Sequence, residues 1–288
     1  MLALARDART RDVVAWLAGA LALGLGVLAK TVPFALAPLL APSVRASRPL
    51  ARLLAAALFV GPALLGMAII YALAPHAVLD NVVLYRSTEG WYGLTGIADA
   101  LSLERATAGY SKFLFPVVLG VWVAAGFVLL TRRRLASREV ILIGALVLLA
   151  VPTLGPGFAP QYAYWWLPLL AATYPLFDRG WRRLLLGLYV VAAVTYLFEY
   201  ALFHGHGWFL EAFLPSSHLI QEANHLDQPN WSTLVRLPLF AASLVVLAGG
   251  LLRLRASART RAIRSANESD TQNRREVPPA GFEPALPA

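Results

Sequence analysis

The 288-residue sequence contains no cysteine, only two methionines and two lysines, and 14% charged residues. Without cysteine there is no disulfide, no thiolate metal site and no cysteine nucleophile. An ordinary soluble domain carries roughly 25% charged residues. So little charge, beside 58% hydrophobic residues and a mean hydropathy of +0.61, excludes a disordered chain, a coiled coil and a conventional soluble enzyme. Heptads and solenoid periods are also lacking.

What is present is a series of apolar runs. A helical span of the bilayer core needs about 17–25 apolar residues. Val13–Ala29, Leu53–Ala74, Phe113–Thr131, Glu139–Leu154, Gln161–Phe177, Leu184–Phe203 and Leu237–Leu252 fit that description. Thr31–Pro42 is apolar but short and carries three prolines, as expected of a broken or re-entrant segment. The expected fold class is an all-α polytopic membrane protein with about seven transmembrane helices plus that broken segment. The first run leads into Lys30 and more apolar sequence rather than a polar mature domain, so a cleaved signal is not expected.

The net charge of +9 would point to nucleic acid in a soluble chain. Here it maps onto topology. Arginines cluster before the first run (Arg6, Arg9, Arg11), after the broken segment (Arg45, Arg48, Arg52), at Arg132–Arg134 with Arg138, at Arg179, Arg182 and Arg183, and at Arg253–Arg264. Alternating spans, with the Thr31 segment returning the chain to its starting side, put all five groups on one side. With Arg274 and Arg275 they make 20 of the 25 basic residues. The positive-inside rule makes that side cytoplasmic, with both termini on it, and no nucleic-acid partner is expected. All five histidines and both long loops, 75–112 and 204–236, then face outward. Acid–base and ligand chemistry is expected there.

Three outward stretches carry polar chemistry. Gly24-x-Gly26-Val-Leu-Ala-Lys30-Thr31-Val-Pro33 puts an ammonium at the end of a span, either as a snorkelling interface marker or as a point charge for a lipid phosphate. Leu84–Gly93 combines Tyr85, Arg86, Glu89, Trp91 and Tyr92, either an amphipathic interfacial helix or a sugar- and phosphate-binding surface. Leu154–Pro168 (LGPGFAPQYAYWWLP) has a Gly/Pro turn followed by Gln161, Tyr162 and Tyr164; its Tyr and Trp residues are also ordinary interface anchors. Glu199, near the outer end of a span, is a further candidate acid. His204-Gly-His206 with Glu211 has zinc-ligand chemistry, but a lone His-x-His in a loop is a poor signal, and no metal or cofactor is expected.

The Gly24–Pro33 and Gly157–Leu170 runs resemble the polytopic GT-C glycosyltransferases that use polyprenyl-phosphate sugars, in particular the family-87 mannosyltransferase type. The resemblance spans Val13–Leu252. It implies transfer of a sugar, mannose first among candidates, from a lipid-linked donor substrate to an extracytoplasmic glycan or lipid acceptor at the plasma membrane. It implies Lys30 and Arg86 on the donor phosphate and Gln161 and Tyr162 on the donor. Asp80 and Glu89 are the acids to test as catalytic base. Such enzymes carry their catalytic aspartate in the first outer loop, whereas Lys30-Thr31 holds no acid. The resemblance therefore implies a C-terminal portion lacking N-terminal spans. The alternatives are an inactive fragment, a non-catalytic membrane protein or a transporter; the absence of a repeat argues against the last.

The expected organisation is a membrane region over 1–254 and a polar, disordered cytoplasmic tail over 255–288. Gly281-Phe-Glu-Pro284 reads like the translated complement of a tRNA T-arm, so the end of the tail is expected to be either a translation artefact or a chance disordered sequence.

Overall fold

A computed structural model describes residues 2–29, 32–41, 49–78, 93–101, 103, 107, 109–132, 135–155, 164–202 and 229–276. Among these residues the regular structure is entirely helical. In chain order the α-helices are α1 (Leu2–Ala29), α2 (Pro49–Leu73), α3 (Pro75–Val78), α4 (Gly93–Ala100), α5 (Phe115–Arg132), α6 (Ser137–Leu154), α7 (Leu167–Thr173), α8 (Arg179–Leu202) and α9 (Pro229–Glu276). Two 3-10 segments, Val32–Leu40 and Tyr174–Leu176, and a π-helical turn, Tyr110–Leu114, complete the set.

Among the described residues five helices are long and apolar enough to cross a membrane: parts or all of α1, α2, α6, α8 and α9. Two further stretches expected as spans are apolar but shorter, Phe115–Thr131 and Leu167–Leu176. Proline explains the second. Pro168 stands in the first turn of α7, where a missing N–H costs nothing. Pro175 cannot donate to the Ala171 carbonyl four residues back, so Tyr174 N–H takes that carbonyl and the helix tightens into 3-10 form.

Burial separates the helices. In Ser137–Leu154 ten of 18 residues are buried, against Ala55 alone of the 25 in Pro49–Leu73. Thus α6 is interior, while α2 turns Leu64, Leu65, Ile69 and Leu73 outward. An exposed apolar surface of that extent fits a helix solvated by lipid.

The proline-broken stretch is the joint of this assembly. The Val32–Leu40 segment packs against α1, α5 and α6 and buries Ala35, Ala37 and Pro38. In 3-10 geometry the Ala35 carbonyl should receive the N–H of residue 38, which proline lacks. Trp122 Nε1 of α5 donates to that carbonyl at 2.8 Å. At the far end of the segment Trp16 Nε1 of α1 donates to the Leu40 carbonyl at 3.2 Å. Two indoles therefore satisfy carbonyls that a broken helix cannot.

Helix α1 crosses α2 closely at Gly24. A Cβ there would lie 2.5 Å from the carbonyl oxygens of Leu58 and Phe59. Trp16, Ala20 and Ala55 form the buried centre of this pair, with Leu17, Leu40 and Phe59 around it.

The α7–α8 turn is held by side chains. Asp178 Oδ1 accepts Trp181 N–H at 2.7 Å, an N-cap for α8. Trp181 Nε1 donates to Thr173 Oγ1 at 2.9 Å, and Thr173 donates onward to the Leu170 carbonyl. Arg182 Nε donates to the Tyr174 carbonyl, with its guanidinium 5.6 Å from the Tyr174 ring centre. From there Trp181, Leu185, Leu188, Ala192 and Thr195 make the buried stripe of α8 at helical spacing.

The chain divides into two units, 1–247 and 248–288. In the first, α9 buries Arg236, Leu239, Ser243 and Val246, again one helical face. In the second, helix continues to Glu276, where the sequence predicts irregular chain from Arg255. Ala256, Ala258, Ala262 and Ala266 alternate with arginines, and no glycine or proline occurs between Leu251 and Glu276. These are good helix formers, and they outweigh the polar composition.

Candidate functional site

Lys30, Asp80, Arg86, Glu89, Gln161 and Tyr162 all lie outside the described residues, as do His204, His206 and Glu211. The described elements that flank them fix where the chain enters and leaves each stretch. Lys30 occupies the two-residue connection between α1 and the Val32–Leu40 segment. Gln161 and Tyr162 belong to the connection that leaves the end of α6 at Gly155.

That end of α6 is where two of the three polar stretches meet. Gly93 closes the Leu84–Gly93 stretch and opens α4 with φ of +75°. It lies against the last turn of α6: a Cβ at Gly93 would sit 2.5 Å from the Pro152 carbonyl oxygen and 2.6 Å from that of Thr153. Only glycine combines that backbone conformation with that approach. Thr153 and Leu154 in turn lead directly into the Leu154–Pro168 stretch.

Thr95 of α4 and Thr153 of α6, on the two elements that meet here, are buried, as is Thr107. Thr153 Oγ1 donates to the Leu149 carbonyl at 2.6 Å. Tyr110 reaches across from the π-helical turn and its phenol donates to the Leu154 carbonyl. Burial raises the Tyr110 pKa above its ordinary value of 10.0, so the phenol stays a donor at neutral pH. One residue on, the Ser111 hydroxyl oxygen is buried with no hydrogen-bond partner among the described residues. The π turn itself arises beside Pro116: Phe115 N–H reaches back five residues to the Tyr110 carbonyl. Such turns recur at functional sites.

Beyond 156–163 the chain re-enters through an aromatic cluster. Tyr164 meets Tyr196 of α8 edge-on at 5.2 Å, and Trp166 meets Tyr189 edge-on at 5.9 Å. Trp166 is fully buried, yet among the described residues its Nε1 has no acceptor. Trp16, Trp122 and Trp181 all have one. A buried unpaired N–H costs about 1–3 kcal/mol.

The arrangement offers neutral hydrogen-bonding groups and aromatic faces at one end of the interior helix. Among the described residues, no group of three or more His, Cys, Asp or Glu could hold a metal ion. Sequence reasoning missed Thr95, Thr107, Tyr110, Ser111, Thr153 and Trp166. The available signals were a threonine at the end of an otherwise apolar run, at Thr153, and a Tyr-Ser pair shortly before Pro116. The chain matches no family model, no curated protein and no solved structure.

Proposed function

We propose that this chain is a polytopic membrane glycosyltransferase of GT-C type, or the membrane portion of one. It moves a sugar, mannose first among candidates, from a polyprenyl-phosphate donor to an extracytoplasmic acceptor. In this reading seven helices cross the plasma membrane, the broken Val32–Leu40 segment returns the chain to the cytoplasmic side, and both termini are cytoplasmic. The acceptor hydroxyl attacks the anomeric carbon with inversion. The new C–O bond forms as the bond to the phosphate oxygen breaks. Asp80 or Glu89 takes the hydroxyl proton. Lys30 and Arg86 hold the leaving phosphate, and Gln161 and Tyr162 contact the donor.

One observation carries the reading. The Leu84–Gly93 and Leu154–Pro168 stretches, which hold Arg86, Glu89, Gln161 and Tyr162, adjoin the same end of α6 through Gly93 and Leu154. The buried hydroxyls at that junction and the aromatic cluster after 163 supply sugar-compatible surroundings. Lys30→Ala tests the role of the cation. Binding of polyprenyl phosphate to the purified protein should fall at least tenfold while membrane insertion is unchanged. Unaltered binding would remove Lys30 from the site.

A further inference from the structure

The basic part of α9 has no explanation in topology alone once it is helical. Arg253, Arg255, Arg259, Arg261 and Arg264 occupy twelve consecutive residues, and the next acid is Glu268. On a helix, Arg255 and Arg259 are one turn apart on one face. Like charges at that spacing oppose helix formation. Arg255 and Arg259 are both exposed. At the start of the basic stretch Arg253 Nη1 donates back to the Gly249 carbonyl at 3.1 Å. Just before it Leu251 and Leu252 are 61% and 66% exposed. A polar, self-repelling helix is unstable in water by itself.

We infer that Arg253–Arg264 is a binding collar for anionic phospholipid headgroups, with Arg255 and Arg259 as its principal contacts. At 1.5 Å per residue the arginines cover about 17 Å of helix beyond the apolar edge at Leu252. That places them within the headgroup layer and about one Debye length of its surface. Guanidinium groups bind phosphate through paired N–H donors, and phosphate charge removes the repulsion within the helix. Leu251 and Leu252 enter the acyl region at the same boundary. The inference rests on the membrane reading of the apolar helices and is independent of the glycosyl-transfer reading.

The lack of cysteine permits a clean test on the full chain. A fluorophore on Ala256→Cys, in proteoliposomes of phosphatidylcholine with 5% phosphatidylglycerol, is quenched by a small fraction of spin-labelled phosphatidylglycerol or of spin-labelled phosphatidylcholine. The collar predicts preferential quenching by the anionic lipid. Each arginine near the surface contributes about fivefold in association. The R255Q/R259Q double variant should therefore lower the preference at least fivefold, and 0.5 M salt should lower it in the native chain. Equal quenching by both lipids in a protein that resists alkaline carbonate extraction overturns the collar and leaves the membrane reading standing. So does a preference unchanged in R255Q/R259Q. Extraction of the chain by carbonate overturns the membrane reading itself, and the collar with it.

Discussion

Trp122→Phe tests the logic of the broken segment. The Ala35 carbonyl is buried, its helical donor is missing at Pro38, and Trp122 Nε1 replaces that donor at 2.8 Å. Phenylalanine keeps an aromatic ring and removes only the donor and part of the volume. Leaving a buried carbonyl unpaired costs about 1–3 kcal/mol. Interhelical hydrogen bonds in membranes average about 0.6 kcal/mol, with a maximum near 1.7. The expected loss is therefore about 1–2 kcal/mol, read as a shift in reversible unfolding of the purified protein in mixed detergent–SDS micelles by circular dichroism. Pro38→Ala restores an N–H at the position where 3-10 geometry needs one. On that background Trp122→Phe should cost less, by about 0.5–1 kcal/mol, and this coupling separates the hydrogen bond from lost packing. An equal cost on both backgrounds would refute the argument, as would a Trp122→Phe protein as stable as the native one.

Other substitutions probe the remaining joints. Gly93→Ala forces a Cβ to within 2.5 Å of the Pro152 carbonyl oxygen at a φ of +75°, and should lower stability by about 2 kcal/mol or more, seen in a thermal melt. Asp178→Ala removes the α8 N-cap and should cost about 1 kcal/mol, whereas Asp178→Asn should be close to neutral; equal losses would argue against capping. Thr173→Val leaves the buried Trp181 indole without its acceptor and should cost about 1–2 kcal/mol in the same unfolding assay. Burial raises the Tyr110 pKa, so the folded state holds that proton more tightly. Its stabilising contribution is complete below the unfolded value near 10 and is lost as pH rises through the higher folded value. Tyr110→Phe should flatten the alkaline limb of a stability–pH profile; an unchanged limb assigns that limb to other groups.

The apolar runs made the helices legible, because length and hydropathy alone mark a segment that can cross a bilayer. The three prolines of Thr31–Pro42 likewise announced a segment that could not be a plain helix. The pairing of Trp122 and Trp16 with its carbonyls was not legible, since those partners lie 87 and 24 residues away. Proline content also hid the shortness of α7: Gln161–Phe177 is largely apolar, but Pro175 diverts the hydrogen bonding within it. At the tail, polar composition outweighed helix propensity in the reading, although propensity prevailed through Glu276. For the site, charged residues drew attention to Lys30, Asp80, Arg86 and Glu89. The neutral hydroxyls at the end of α6 gave no periodic or charge signal, and only the fold brings Thr95, Tyr110 and Thr153 to one junction.

The most direct test of the functional account is sugar transfer itself. Membranes containing the chain, supplied with radiolabelled polyprenyl-phosphate mannose and extracytoplasmic acceptors, should yield labelled product. The yield should fall at least a hundredfold when Asp80→Asn and Glu89→Gln are combined. No label above that of membranes lacking the chain, or transfer undiminished in the double variant, would contradict the account.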